Sequence, residues 1–258
     1  MRSNKITSLK RAVIIGLIIL ITPTILLGQT LPEFIIMTED WIPYQYEEDG
    51  RLKGIAVDLL VEMLKRTGSI QGRKDIKMYP WTRGYQIVQN QKNTILFSTT
   101  RTKEREKKFK WVGPIFRNTT YLIGKKSRDL RVNSAEDLVK FNIGTVIEDA
   151  GERYMVALGV PLTNLQRNTK AVYNIKKLEI DRIDFVVCGW TAFVNDAKQA
   201  GIDPQRYKPV YTVDTADISY AFNVQTPDWI IRIFQSALDS IKDEGKLTEI
   251  NKRYSHLL

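Results

Sequence analysis

One cysteine, Cys188, and one histidine, His256, are all the thiol and imidazole chemistry in a chain of 258 residues. A structural zinc site needs more such ligands than these two, so no metal site is expected. A lone thiol forms no internal disulfide, and the fold must be held by its core. A Cys–His nucleophilic pair can be drawn on paper. Cys188, however, ends the apolar run Phe185-Val186-Val187-Cys188 and reads as a small buried hydrophobe. Proton transfer would fall to carboxylates, with Glu39, Glu148 and Asp149 as the ready candidates. Nothing in their spacing marks a perturbed pair, so no catalysis and no cofactor are expected. What remains is recognition, and the residue types suited to it are the arginines at 83, 101 and 105 and the tryptophans at 41, 81 and 190.

Charge and length narrow the setting. The chain carries 39 Lys+Arg against 29 Asp+Glu, a net +10. Residues 1–30 hold four basic side chains (Arg2, Lys5, Lys10, Arg11) and no acidic ones, so the remainder carries +6. A surface of mixed sign with that balance gives solubility and some attraction for anions, and no nucleic-acid partner is expected. Ala12 to Leu27 is an apolar run of about 16 residues, short of the roughly 20 that span a bilayer. It follows a positive stretch and ends in Gly28-Gln29-Thr30, the pattern of a cleavable signal peptide. An uncleaved N-terminal anchor is the alternative, and either way the protein is exported. The remaining residues, about 228, suffice for one large domain or two of about 110.

The elements that must position these residues alternate strand and helix. Glu33 to Met37, Asp75 to Tyr79 and Thr94 to Phe97 read as strands. A helix after Gly54 puts Ile55, Leu59 and Met63 on one face, and Thr82 to Asn90 reads as another. This βαβαβ pattern implies a parallel sheet covered by helices. A second unit follows Tyr121-Leu122-Ile123-Gly124, with capping-box spacing from Ser134 to Asp137. It has strands at 142–147, 164–166 and 184–188 and helices at 150–158, 170–180 and 191–200. The tail, a strand at 218–224 and two helices, is too small for a third domain. Thr226 is the expected N-cap of the first of those helices, with Pro227 in its first turn.

Several motifs carry a resemblance. They are Trp41-x-Pro43-Tyr44-x-Tyr46, Gly54-Ile55-x-Val57-Asp58-Leu59, Pro80-Trp81-x-Arg83, and Phe97-Ser98-x-Thr100-Arg101-Thr102-x-Glu104-Arg105. Further on come Phe109-x-Trp111-x-Gly113-Pro114, Arg182-Ile183-Asp184 and Asp243-Glu244-Gly245-Lys246-Leu247. In their order and spacing the chain resembles the bacterial extracellular solute-binding proteins, family 3, the polar amino-acid type. The resemblance implies an α/β fold, a two-lobed periplasmic binding protein of type II with two hinge crossovers. By that analogy one lobe is 31–116 plus 219–258 and the other 117–218, with crossings near 116–119 and 217–219. Two short crossings allow closure around a ligand.

The same resemblance assigns site residues. Arg105 grips a ligand carboxylate, a task suited to a planar fork that stays charged. Ser98 and Thr100 offer hydroxyl and backbone groups to the same carboxylate, and Trp41 and Trp81 form aromatic walls. Arg83 and Arg101 would bring two more guanidinium groups to the cleft and favour a ligand with more than one acidic group. The competing reading pairs them with Glu39, Glu104 or Glu148. In the second lobe the family's acidic residue for an α-ammonium is replaced by Gly189, followed by Trp190. Either Glu148 or Asp149 substitutes from a neighbouring loop, or the ligand has no α-amino group and Trp190 stacks on something flatter.

The expected function is therefore capture of a small polar or anionic, amino-acid-like ligand by a monomeric periplasmic protein. Delivery would be to an inner-membrane ABC permease or to a receptor. An exported dehydratase-like enzyme on the same fold, and a free-standing sensory binding protein, are the rival readings.

Overall fold

Short apolar runs alternate with amphipathic stretches along the chain, and most become elements of the expected kind. The computed structural model describes residues 30–257; the expected signal peptide lies outside them. No helix among the described residues is long and apolar enough to cross a membrane.

Strand β1 (Ile35–Thr38) is followed by a small hairpin, β2 (Tyr46–Glu48) and β3 (Arg51–Lys53). Helix α1 (Ile55–Arg66) buries the stripe Ile55, Leu59 and Met63. Its start requires Gly54: φ is 125°, and a Cβ there would lie 2.2 Å from the Tyr44 carbonyl oxygen. Strand β4 (Ile76–Met78), helix α2 (Trp81–Asn90) and strand β5 (Thr94–Thr100) complete this unit, and β1 pairs in parallel with both β4 and β5. A long strand, β6 (Phe109–Lys125), leads to the second unit. There, a 3-10 turn at Ala135–Lys140 opens with the Ser134 backbone N–H on the Asp137 carboxylate. It precedes β7 (Ile143–Val146), α3 (Ala150–Ala157), β8 (Leu165–Asn168), α4 (Ala171–Glu179), β9 (Phe185–Gly189) and α5 (Trp190–Gln199). Strand β7 pairs in parallel with β8 and β9.

The chain returns through β10 (Tyr207–Asn223) to α6 (Asp228–Asp243) and α7 (Lys246–Arg253). Thr226 does not cap α6: the helix starts after Pro227, and the Thr226 hydroxyl has no partner. The tail packs on the first unit. Tyr254 donates its hydroxyl proton to Asp58 (2.9 Å) and accepts from the Gly54 N–H (3.0 Å). Phe34 meets Phe222 and Phe234 edge-on, each at 6.0 Å. Such pairs add about 0.5–1.5 kcal/mol each beyond burial.

All the strands except the hairpin form one sheet, in the order β4-β1-β5-β10-β6-β9-β7-β8. Among the described residues it carries four apolar clusters, of which the two with the most buried residues lie one in each half. One gathers Phe34, Leu59, Phe97, Phe222 and Phe234; the other gathers Leu122, Leu138, Ile143, Met155 and Phe185. Near 116–119 and 217–219 the chain is strand. Strands β6 and β10 run unbroken from one half to the other, antiparallel from Phe109↔Asn223 to Lys125↔Tyr207. Midway, Arg117 faces Asp217 and Thr119 faces Thr215. A two-stranded ribbon can be wet on both faces, so polar residues that read as loop remain strand where the partner strand satisfies the backbone.

Candidate functional site

The loops at the C-terminal ends of β1, β4 and β5 face those after β7 and β9 across a cavity of about 560 Å³. Ligand crevices in open α/β sheets lie at such strand ends. The first half contributes Glu39, Asp40, Trp41 and Trp81, together with Ser98 and Thr100 from β5. The second contributes Asp149, Lys170, Gly189 and Asp196, and Asn118 comes from the crossing strand β6.

Each wall is built locally. A tight turn ties the Trp41 carbonyl oxygen to the N–H groups of Tyr44 and Gln45. The Trp41 ring stands 5.5 Å from Phe116, which itself stacks on Tyr44 at 3.5 Å. Trp81, at the first turn of α2, is 4% exposed, and its indole N–H has no acceptor. Ser98 holds a left-handed backbone (φ 58°) near a register shift between β5 and β10, and its hydroxyl donates to the buried Gln45 side chain at 2.6 Å. Non-glycine residues hold such conformations only where the surroundings over-determine them.

Arg105 is fully buried. One terminal N–H group donates to the Thr100 carbonyl (3.2 Å) and the other to the Glu148 carbonyl of the opposite half (2.9 Å). The guanidinium lies 5.1 Å from the Trp81 ring and 4.9 Å from Tyr85, and its Nε–H has no acceptor. It stands behind the cavity wall, not among the lining residues.

Glu148 also takes a left-handed backbone (φ 63°). Its N–H donates to Glu152 at 3.1 Å, and its carboxylate pairs with Arg153. Arg153 reaches across to Glu104 as well, so a second cross-cleft contact flanks the first. Asp149 accepts from the Ala150 N–H at the start of α3 and lines the cavity, whereas Glu148 does not.

Three expectations are corrected. The guanidinium groups do not converge. Arg83 is exposed, lying over the Tyr79 ring at 4.6 Å, and Arg101 is held bidentately by Glu106 at 2.8 and 2.6 Å. Neither pairs with Glu39, Glu104 or Glu148; the latter two are taken by Arg153. Trp190 does not face the cavity. At the first turn of α5 its ring stacks on Phe193 three residues on, at 5.6 Å, and joins the core of its own half. The site of the missing acid is not an open gap. A Cβ at Gly189 would lie 2.7 Å from the Asn118 side-chain oxygen, so an amide from β6 occupies that place.

The cavity is acidic. Burial raises the Glu39 carboxyl well above the usual carboxylate range, reinforced by Asp149, Asp196 and Asp40 and opposed by Arg105. Asp196 is pushed up to about 6 by burial and then by Asp40. Burial also raises Asp40, against Lys170, and Asp149, against Arg105. The same burial, with Asp196 and Asp149 nearby, drives the Cys188 thiol far up, away from a reactive thiolate. His256 is exposed in the last turn. Asp40, Asn118, Lys170, Asn195 and Asp196 escaped the sequence reading. The signal for Asp196 was its place on α5 beside the buried Phe193 and Ala197, where a solvated face was not required.

Residues 34–256 match the family model described as bacterial extracellular solute-binding proteins, family 3. No curated protein matches the chain. Among solved structures, it is similar to a histidine kinase sensor domain with similarity to periplasmic binding proteins. That pair has a TM-score of 0.75 at 13% identity, covering 86% of this chain and 95% of the other. It is similar to an ancestral arginine-binding protein bound to arginine, with TM-score 0.68, 20% identity, and coverage of 85% and 96%. It is similar also to the arginine-, lysine-, histidine-binding protein ArtJ from Geobacillus stearothermophilus, with TM-score 0.70, 19% identity, and coverage of 86% and 95%. At these identities the likeness is one of fold.

Proposed function

Because the chain belongs to the bacterial extracellular solute-binding proteins of family 3, we propose that it captures a small, polar, amino-acid-like ligand in the periplasm. It acts as a monomer and passes the ligand to an inner-membrane permease of the ABC type. The observation that carries this reading is the cavity of about 560 Å³ between two half-sheets. The two crossing strands β6 and β10 are antiparallel neighbours in the sheet, and in this reading they form the hinge. Residues 31–116 and 219–258 act as one lobe and 117–218 as the other, bending about the exposed middle of the ribbon.

In this reading Ser98 and Thr100 meet an anionic group of the ligand, Arg105 lends its positive charge from behind them, and Trp41 and Trp81 cover the apolar part. One carboxylate fits better than several, since Arg83 and Arg101 are engaged elsewhere. Structural relatives with bound arginine and bound glutamine support an amino-acid-like ligand.

The test is a thermal-shift screen of amino acids, di-acids and small aromatic acids, followed by calorimetry. A ligand present at a hundred times its Kd adds about 2.7 kcal/mol to stability. A screen in which no compound raises the melting temperature removes the binding reading.

A second reading, the dehydratase-like enzyme, has one observation in its favour. Glu39, whose carboxyl burial in the cavity pushes well above the usual carboxylate range, has the character of a general acid. Turnover of a cyclic acid, lost in Glu39→Gln, would establish it; absence of product with every cyclic acid tried would dismiss it.

A further inference from the structure

Arg153, on the first turn of α3, stands outside the cavity lining. One terminal N–H group donates to the Glu104 carboxylate, in the β5–β6 loop of the opposite half, and the other to the Glu148 carboxylate of its own. Its guanidinium also lies 5.5 Å from the Tyr85 ring, again across the cleft. The Arg105 guanidinium approaches the same ring at 4.9 Å. None of Glu104, Glu148 and Tyr85 lines the cavity. Among the described residues, Arg153–Glu104 is the one ion pair that joins residues 31–116 to residues 117–218.

Glu104 is kept fit for that pair. Burial raises its carboxyl, but hydrogen bonds from Lys108 and Arg153 outweigh burial and hold the group below the usual carboxylate range. The other flank of the cleft is bridged as well, by the Asn195 side-chain amide on the Ile42 carbonyl at 3.0 Å. Contacts made wholly by the protein's own groups thus span the cleft on both sides.

Resting on the two-lobed reading proposed above, we propose that Arg153 is a closure-positioning residue: its pair with Glu104 favours the closed cleft whatever the ligand, and so sets how often the cavity opens. Glu148 keeps the guanidinium aimed from its own side, so opening breaks the Glu104 pair and leaves Arg153 partnered. A contact that touches no ligand but favours closure changes the affinity of every ligand by one common factor. With Arg153 22% and Glu104 46% exposed, the pair is worth about two- to fivefold in the opening equilibrium.

The chain carries its own reporter. Cys188, its single cysteine, is a free thiol in the cavity lining. A bulky maleimide reaches it when the cleft opens, so the labelling rate of dialysed, ligand-free protein reads the opening equilibrium. Near neutral pH and at low salt, Glu104→Gln and Arg153→Met should label about two to five times faster than wild type. Lys108→Met removes the other partner of Glu104 and should label at the wild-type rate. Salt at about 0.5 M should bring wild type up to the rate of Glu104→Gln and move that variant little. The double variant should label no faster than Arg153→Met, as expected of two residues acting through one contact. Melting curves and labelling in dilute urea separate cleft opening from unfolding. The two single variants lie on opposite halves, so misfolding of one leaves the other informative. Wild-type rates in both, or an equal rise in Lys108→Met, would overturn the inference. So would the same salt response in Glu104→Gln as in wild type. The assay uses no ligand, so a negative result leaves the binding function to the thermal-shift screen, and an empty screen leaves this result standing.

Discussion

The guanidinium of Arg105 donates a 2.9 Å hydrogen bond to the backbone carbonyl of Glu148 on the far side of the cleft. The bond joins the two half-sheets directly. It depends on the left-handed backbone at Glu148 (φ 63°) and on the Trp81 and Tyr85 rings beside the guanidinium. Arg105 therefore has two roles open to it, closure of the cleft and anchoring of a ligand's anionic group.

Arg105→Lys separates them from simple charge. Lysine keeps the positive charge but loses the fork that spans Thr100 and Glu148. Ligand affinity should fall tenfold or more in Arg105→Lys and at least as far in Arg105→Ala, read by calorimetry. Small-angle scattering should show both unliganded variants more open than wild type.

Gly189→Asp should fail to restore an ammonium site and should destabilise the fold. Its Cβ would meet the Asn118 amide at 2.7 Å. Overpacking costs about 1–3 kcal/mol, and the low end applies here because the obstructing atoms end a flexible side chain. The double variant Gly189→Asp, Asn118→Ala removes the obstruction, and urea denaturation should show most of the loss recovered.

Asp196 makes stability depend on pH in an unusual direction. Its folded-state pKa, about 6, lies above the ordinary 3.8. Between those values the folded state binds more protons than the unfolded one, so this group's contribution falls as pH rises. Asp196→Asn should thus melt within a degree of wild type near pH 3.5. It should melt higher above pH 6, on the order of 2–6 °C for a chain of this size. Thermal melts from pH 3.5 to 7.5 read the effect.

Local signals were legible in the sequence wherever one short stretch decides its own fate. The stripe Ile55, Leu59, Met63 and the start after Gly54 set α1 almost to the residue. The alternation of strands and helices was enough to imply a parallel sheet in each half. The middle of β6 and β10 was not legible, because Arg117-Asn118-Thr119 is strand only through a partner about a hundred residues away. Side-chain direction was equally hidden. Arg101 and Arg105 sit four residues apart in one loop, yet one is drawn outward by Glu106 and the other is walled in by Trp81 and Tyr85. The rest of the acidic lining was missed for a related reason: Asp40 and Asp196 join Glu39 and Asp149 only when the half-sheets come together.

The crossing ribbon has a mechanical consequence. Since β6 and β10 hold each other by a ladder that continues through Arg117 and Asp217, neither can swivel alone. In the proposed hinge the pair would flex as one leaf spring, with the jaws parting about a single axis and the mouth gaping on the side away from that spring. A solute would then enter and leave by the same door, with no backbone pairing broken in either half.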